Sequence, residues 1–438
     1  MKKYDTYKNS SIQWIGQVPE HWSVRKLKHI VSSIKSGGTP TSSNDSFYSE
    51  DGFPWVAIGD MSSSSYVLDT QKHITKAGVD DKGLTLYPVG TLLYSIYATI
   101  GKVSELRVPA YINQAILALV PKDDTYQQFL KYSLIAQEKY VYSLSNSNIQ
   151  ANLNAEIVSN LLCPLPPLTE QEAIANFLDK KTGEIDQAIA LFEQEKTDLQ
   201  AYRKAIISET VTKGLNPNAK LKDSGIQWIG QIPEEWKTPK LSYITSKIGS
   251  GSTPRGGAET YVTSGVKFIR SQNVYDTGLR LEDVVCITDE VNESMKNSQV
   301  QVGDILYNIT GGSIGRCYIV DDSLGPANVN QHVCIVRPCN VYGRFLLYNL
   351  QSEVSQYQLR ILQSGGNREG LTAEAFKDFI IPLPPLSEQQ AIADYLDKKT
   401  NDIDAALMQI DTQIADLQAY RTALISEAVT GKIDVRNQ

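Results

Sequence analysis

The strongest constraint on this chain is an internal duplication. The sequence S-I-Q-W-I-G-Q-V-P-E-H-W at residues 11–22 returns as G-I-Q-W-I-G-Q-I-P-E-E-W at residues 225–236. Trp14 and Trp22 each recur 214 positions later, so the spacing between the two tryptophans is unchanged. Because drift in composition does not preserve such a register, the chain contains two copies of one folding unit.

The duplication extends over the whole chain of 438 residues. The loop I-K-S-G-G-T-P at 34–40 returns as I-G-S-G-S-T-P at 248–254, and residues 164–213 match residues 382–431 at 30 of 50 positions. This period is far longer than the 20–50 residues of stacked repeats. We therefore predict a globular domain and a helix, each present twice, at residues 1–163, 164–215, 216–381 and 382–438.

The helical parts follow a proline run, P-L-P-P-L, which is extended and predicts a stiff hinge. Thr169 and Ser387 are predicted helix N-caps, with Glu172 and Gln390 completing a capping box. Apolar residues then recur every seventh position in both copies, which predicts a supercoiled seam between two helices of about 40 residues. The seam residues, our candidate partner-binding residues, are Leu178, Ile185, Phe192, Leu199, Leu396, Ile403, Ile410 and Leu417.

The two globular parts have a mixed pattern, and we predict an α/β or α+β fold. The apolar runs at residues 92–94 and 115–120 are typical of buried strands. The tryptophan phrase places two large anchors around a Gly–Pro turn, which suits it to fixing the start of a domain against the common frame.

Composition and missing motifs narrow the function. No apolar run approaches the ~18–20 residues of a membrane span, and no secretory signal opens the chain, so a cytoplasmic location is expected. Five cysteines without a C-x-x-C pair and four scattered histidines predict no metal site. The phosphate-binding P-loop, the G-x-S-x-G elbow and the Asn/Asp-Pro-Pro-aromatic motif of amino-methyltransferases are all missing. The chain is predicted to recognise a partner and to catalyse nothing.

Charge alone does not identify that partner. The net charge is −7, and residues 170–213 and 388–432 carry −3 and −4 of it. Everything outside the two predicted helices is therefore neutral, which neither requires nor excludes a nucleic acid.

The paired tryptophan phrases, S-G-[GS]-T-P loops and P-L-P-P-L-[ST]-E-Q helices, in this order, resemble the specificity subunit of type I restriction-modification systems. The resemblance covers essentially the full chain. It implies a non-catalytic subunit with two target recognition domains, each reading one half of a split sequence in double-stranded DNA. Two antiparallel helices would set the gap, giving internal pseudo-twofold symmetry. Two methyltransferase subunits and the restriction subunits would dock on it, and S-adenosylmethionine, ATP and magnesium would belong to those partners.

The duplication separates common residues from specific ones. Asn113–Gln114 and Asn330–Gln331 occur in both copies, as do Thr39 and Thr253, so we expect frame or phosphate contacts from them. Polar residues that differ at matched positions are the candidate base readers, with arginine suited to guanine and Asn or Gln to adenine. In the first copy these are Thr41, Ser42, Ser43, Asn44, Tyr97, Asn146 and Asn148. In the second copy they are Arg255, Arg270, Gln272, Asn273, Asn308, Thr310, Asn367 and Arg368.

Two other functions remain open at this point. A coiled-coil scaffold that holds two proteins would bind no DNA, whereas phosphate contacts would make log affinity fall linearly with log salt concentration. A self-sufficient methyltransferase would bind S-adenosylmethionine by itself, although the missing motifs disfavour it. Neither the half-sites nor the gap between them follows from the sequence.

Overall fold

The computed structural model describes residues 2–61, 65–146, 153–364 and 370–436, without the side chains of residues 145, 146 and 364. The chain forms two compact units, one of residues 1–192 with 412–438 and one of residues 193–411. Each unit therefore combines one globular part with a section of both predicted helices. The domain limits at residues 163, 215 and 381 stay a prediction.

The globular part of the first unit is a mixed structure built on a five-stranded sheet. Leu92–Ser95 and Ile116–Pro121, the runs predicted to be buried strands, pair antiparallel near its centre. A three-stranded sheet packs beside it, and two short hairpin-like pairs complete the unit. The strands are Tyr7–Asn9, Gln17–Pro19, Ser23–Lys26, Val31–Ser36, Tyr48–Val56, Tyr66–Val67, His73–Ile74, Leu92–Ser95, Val103–Leu106, Tyr111–Ile112, Ile116–Pro121 and Leu162–Leu165.

The second unit repeats this plan with a four-stranded and a three-stranded sheet. Its central strands, Ile305–Asn308 and Val333–Pro338, pair antiparallel as their counterparts do in the first unit. The strands are Leu221–Asp223, Gln231–Pro233, Thr245–Ser250, Val266–Ile269, Val274–Tyr275, Gly278–Leu279, Val285–Ile287, Ile305–Asn308, Cys317–Ile319, Ala327–Val329 and Val333–Pro338. The mixed α/β class predicted from the sequence is confirmed.

Short helices flank the sheets in both units. In the first they are Leu27–Ile30, Ile58–Met61, Lys76–Lys82, Gln127–Ala136, Glu138–Asn146 and Ala155–Ser159. In the second they are Asp289–Ser294, Gly343–Gln351, Glu353–Ser364 and Ala373–Lys377.

Two long helices, Leu168–Lys213 and Leu386–Val429, follow the proline runs. The predicted capping box is wrong, because each helix begins one residue before Thr169 or Ser387. The carbonyl oxygens of Pro167 and Pro385 accept the first helical N–H groups instead. No helix within the described residues is long and apolar enough to cross a membrane.

The fourth residue of each long helix fixes the proline run. Gln171 is buried, donates to the carbonyl of Pro166 at 2.9 Å and accepts from the Tyr126 N–H at 2.8 Å. Gln389 makes the same bonds to Pro384 and from Tyr342, both at 2.8 Å. A glutamine that satisfies backbone groups on both sides of the turn holds hinge and domain together, which explains why the repeated motif ends in Glu-Gln.

Within the first unit the long helices pack on each other. Leu178 and Ile185 lie in one apolar cluster with Leu417 and Leu424. Arg421 forms an ion pair with Asp186 across the helix pair, with Nε to Oδ1 at 2.8 Å. The seam predicted from the seven-residue repeat is therefore formed here.

Within the second unit, cross-helix ion pairs give the direction. Lys196 pairs with Asp411 at 2.5 Å and Arg203 with Asp404 at 3.1 Å. Seven residues forward along the first helix match seven residues backward along the second, so the helices run antiparallel. Leu396 packs with Ile207 and Val211.

All eight predicted seam residues are shielded within the chain. Five are buried, namely Leu178, Ile185, Leu396, Ile403 and Ile410, and three are half-buried, namely Phe192, Leu199 and Leu417. The buried seam side chains face the chain's own core and leave little surface for another protein. A partner protein would have to use other faces of the helices.

The second tryptophan of each phrase packs against the end of a long helix. Trp22 is fully buried, and its ring lies 3.1 Å from the position of a Cβ on Gly431. Trp236 is buried in the same way beside Gly214, and its Nε1 donates to Glu388 at 3.0 Å. Both glycines have a positive φ, +71° and +74°, which glycine adopts without strain. The phrase is thus a clasp between a domain's start and a helix end.

This packing predicts opposite effects for two glycine substitutions. In Gly431→Ala the new Cβ would lie 2.3 Å from Cδ of Pro19, so we expect the free energy of unfolding to fall by about 1–3 kcal/mol. The matched control is Gly183→Ala, within the first long helix, where a Cβ meets no atom within 4 Å and helix propensity should add about 0.5–1 kcal/mol. Urea unfolding followed by tryptophan fluorescence would measure both; equal midpoints would contradict the clasp.

Candidate nucleic-acid interface

Both units bring two parallel strand ends together beside the glycine loop. In the first unit Tyr111–Ile112 runs parallel to the end of Tyr48–Val56, and Asn113 donates its backbone N–H to Val56. In the second, Ala327–Val329 runs parallel to Val266–Ile269, and Asn330 bonds to Ile269 in the same way. Because the ends of parallel strands meet at one edge, each Asn-Gln turn lies at that edge.

The asparagine of each turn is a structural residue. Its side-chain oxygen accepts a backbone N–H two residues on, from Ala115 at 3.0 Å in the first unit and from His332 at 3.1 Å in the second. Such a local bond closes the turn and uses the group that would otherwise read adenine. The expectation that Asn113 and Asn330 serve the frame fits this geometry.

The glycine loop approaches the turn so closely that only glycine fits. A Cβ on Gly37 would lie 1.8 Å from the carbonyl oxygen of Ile112, and one on Gly251 would lie 2.0 Å from that of Val329. Backbone bonds from Gly37 to Ile116 and from Gly251 to Val333 hold the loop in place. The S-G-[GS]-T-P motif is therefore required for this approach.

The loop and the turn are joined by the same side-chain bond in both units. The Thr39 hydroxyl donates to Oε1 of Gln114, and the Thr253 hydroxyl donates to Oε1 of Gln331. All four side chains are exposed or half-buried, and each bond orients the glutamine amide group. A common pair of polar donors on the surface of both units suits a contact to the DNA backbone, which is the same at every sequence.

The second unit extends this pair into a longer polar chain. His332 follows Gln331; its Nε2 lies 3.0 Å from Nε2 of Gln331, and its Nδ1 lies 2.6 Å from the Thr310 hydroxyl. Thr310 is thereby joined to Thr253 through two side chains. Ala115 occupies the position of His332 in the first copy, so this extension is specific to the second unit.

Three predicted readers of the second unit converge on one carboxylate residue that sequence reasoning missed. Arg270 donates to the Asp283 carbonyl at 3.2 Å, and Gln272 donates to Oδ2 of Asp283 at 2.8 Å. Asn273 donates to Oδ1 of the same residue at 3.1 Å. Asp283 therefore orders the loop that carries them.

Two of the predicted readers face inward. Asn273 is fully buried, and its amide also accepts from the Arg270 N–H at 3.0 Å and donates to the Arg280 carbonyl. Asn308 is fully buried and donates to the Ser271 carbonyl at 2.8 Å. Neither side chain presents its amide to a base in this structure; both instead hold the 271–273 loop in shape.

The loop after the first glycine motif has its own anchors. Thr41 donates both its N–H and its hydroxyl to Asp81, at 3.1 and 3.2 Å, and the backbone bond is the main cause that lowers the pKa of that carboxyl group. The Asn44 side chain accepts from the Ser46 N–H at 3.2 Å. Ser42 and Ser43 are exposed, and Ser42 lines an open polar groove of about 480 Å³. Asp81 is a second residue that the sequence did not single out.

The remaining predicted readers fall into two groups. Tyr97, 53% exposed, and Arg255, also exposed, stand on the surfaces of their own units. Asn148, Asn367 and Arg368 lie outside the described residues, and Asn146 ends a helix without a described side chain. The assignment of all these residues to DNA stays a prediction.

Metal ligation was searched as an alternative role. Among the residues that the structure describes, no three His, Cys, Asp or Glu side chains lie together so as to hold a metal ion. His332 was overlooked in the sequence, yet it is a polar residue at a matched position where the other copy has alanine. The criterion used for the other readers would have found it.

The chain matches a protein-family model twice. The model describes the type I restriction modification DNA specificity domain and covers residues 19–199 and 233–414. The chain is 27% identical to the type I restriction enzyme MjaVIII specificity subunit of Methanocaldococcus jannaschii, over 96% of this chain and 95% of that one. It is 25% identical to the EcoBI specificity subunit of Escherichia coli, over 88% and 81%.

Solved structures agree on the fold. A chain from a study of complex assembly and conformational transition in the type I R-M system superposes with a TM-score of 0.71 at 17% identity, over 95% of this chain and 99% of that one. The HsdS subunit from Thermoanaerobacter tengcongensis gives a TM-score of 0.53 at 17% identity, over 97% and 100%. With two matched domains that together span most of its length, the chain belongs to the family of type I restriction-modification DNA specificity subunits.

Proposed function

We propose that each unit of this DNA-recognition subunit reads one half of a bipartite target, and that the antiparallel helices fix the gap between the halves. The observation that carries the proposal is the Thr–Gln pair, built identically in both units on loops whose other polar residues differ. Identical residues suit the common DNA backbone, and differing residues suit two different half-sites.

The chain acts without catalysis in this proposal. Two adenine methyltransferase subunits dock on the repeated frame, and restriction subunits join that assembly. S-adenosylmethionine, ATP and magnesium are bound by those subunits, and the complex works in the cytoplasm, where its DNA lies. The support is the absence of nucleotide-binding motifs from the sequence and the family to which the chain belongs.

Methylation mapping tests the proposal directly. Genomic adenine methylation would be mapped in cells that express this chain with its methyltransferase subunit, against cells from which this chain is omitted. We expect a split motif with a fixed internal gap that disappears in the control. Methylation at unsplit motifs, or a motif that persists without this chain, would contradict the proposal.

The common Thr–Gln pairs should affect all DNA sequences alike. In the double variant Gln114→Ala/Gln331→Ala each unit loses one neutral hydrogen bond, so affinity should fall about 3- to 10-fold per unit on target and non-target DNA alike. Because no charge is lost, the slope of log affinity against log salt should not change. Equilibrium binding of the methyltransferase complex to both DNAs would measure this. The control Thr39→Ser/Thr253→Ser keeps both hydroxyl groups and should bind normally; a loss confined to target DNA would instead indicate base reading.

The arginines of the second unit should affect one half-site only. Arg255→Ala and Arg270→Ala are each expected to lower discrimination at the half-site of the second unit by about 1–3 kcal/mol, which is the value of a good arginine–guanine pair. Selection from a DNA library randomised in both half-sites would show which positions lose preference. Ser43→Ala, an exposed loop variant of the first unit, is the matched control for the other half. Equal weakening over all sequences would identify a phosphate contact.

A further inference from the structure

Each unit carries an open groove beside the first tryptophan of its repeated phrase. The groove of the first unit measures about 330 Å³ and that of the second about 200 Å³. Both are bounded by the two helices that precede the proline run. These elements differ from the strand ends and glycine loops of the DNA interface, so the grooves form a separate surface of each unit.

The two grooves are lined by matched positions of the duplicated sequence. Trp14, Leu161 and Leu162 line the first, and their counterparts Trp228, Phe379 and Ile380 line the second. Every one of these side chains is apolar in both copies. The feature therefore belongs to the repeated frame, whereas the DNA-reading loops differ between the copies.

The tryptophan wall has the same construction in both units. Trp14 stacks on Tyr140 with ring centroids 6.2 Å apart at 29°, and Trp228 stacks on Tyr357 at 6.0 Å and 30°. Stacked aromatic rings offer a large apolar surface that loses little entropy on binding. The core does not need these tryptophans as it needs Trp22, because Trp14 is half-buried and Trp228 is 36% exposed.

The second groove keeps more apolar surface in contact with solvent. Ile361 is 44% exposed and Leu362 is 46% exposed, next to the exposed ring of Tyr357. A contiguous apolar surface of this kind marks a binding site more often than isolated exposed residues do. Both helices that end at the grooves carry an acidic residue at one matched position, Glu156 and Glu374, and both side chains are exposed. An occupant should therefore present apolar side chains flanked by lysine or arginine.

We propose that each groove receives an apolar, basic-flanked segment of one methyltransferase subunit, so that one subunit binds at each tryptophan wall. Two equal grooves on one chain require two copies of the occupant, and the methyltransferase subunit is the component expected in two copies. The inference rests on the function proposed above. It gives the first tryptophan of the phrase a binding role and the second a structural one.

The test replaces an apolar groove residue with glutamate in each unit. The variants are Leu144→Glu for the first groove, Ile361→Glu for the second, and the pair combined. The matched controls are Leu68→Glu and Tyr243→Glu, at positions 70% and 74% exposed outside the grooves. Each chain would be purified with the methyltransferase subunit, and the stoichiometry determined by native mass spectrometry. Circular dichroism melting would confirm folding, with Leu144→Gln and Ile361→Gln as milder variants.

We expect two methyltransferase subunits on the unmodified chain and on both controls, one on each single variant and none on the combined variant. Affinity for the lost subunit should fall at least tenfold. A combined variant that is folded and still binds two subunits would overturn the proposal. So would a chain that dimerises by itself through the grooves and becomes monomeric in Ile361→Glu. If the unmodified chain binds no methyltransferase subunit and directs no methylation, the proposed function itself fails, which the unmodified complex reports separately.

Discussion

The fold depends on the contact between a buried tryptophan and the glycine that ends a long helix. Trp22 meets Gly431 and Trp236 meets Gly214, so in each unit the start of the globular part is held against a helix end that is distant in sequence. A buried tryptophan ring removes about 150–250 Å² from water, roughly 4–6 kcal/mol at 25 cal/mol per Å². That stabilisation is comparable to the entire net stability of an ordinary domain. Local helix and sheet preferences could not supply such a long-range connection, and this explains why the phrase is kept in both copies.

On this common frame, each unit builds its surface by the same local rule. The glycine loop approaches the end of a parallel strand pair at a distance that any Cβ would prevent, and a threonine then bonds the glutamine of the neighbouring turn. Residues beyond this pair are free to differ, and they do. In the second unit His332 and Thr310 lengthen the polar chain, whereas in the first unit Asp81 anchors Thr41. Conserved backbone geometry with variable side chains is what a protein needs in order to read two sequences with one architecture.

The sequence predicted the duplication, the mixed fold and the helical seam because these follow from periodicity and register, which side-chain spacing records directly. It could not predict that Asn273 and Asn308 are buried, since an asparagine in a loop has the same letter whether it faces solvent or closes a turn. Asp283 escaped notice because its role is set by three bonds from residues ten or more positions away. The predicted cap at Thr169 failed because the Pro167 carbonyl already accepts the first helical N–H groups. Contacts between distant residues, and competition between nearby bonds, lie beyond sequence pattern.

Charge on the long helices has a similar division of roles. The acidic excess of the chain lies on these helices, and part of it forms cross-helix pairs such as Arg421 with Asp186 and Arg203 with Asp404. Exposed or half-exposed ion pairs of this kind contribute only about 0–1 kcal/mol each to stability, so the buried seam must supply most of the helix–helix affinity. Directional pairs at fixed intervals instead disfavour a helix pair shifted by one turn, because a shift would separate every pair at once. A seven-residue apolar repeat alone tolerates such a shift. The ion pairs therefore select one register, and a fixed register is the property required of helices that determine a fixed length.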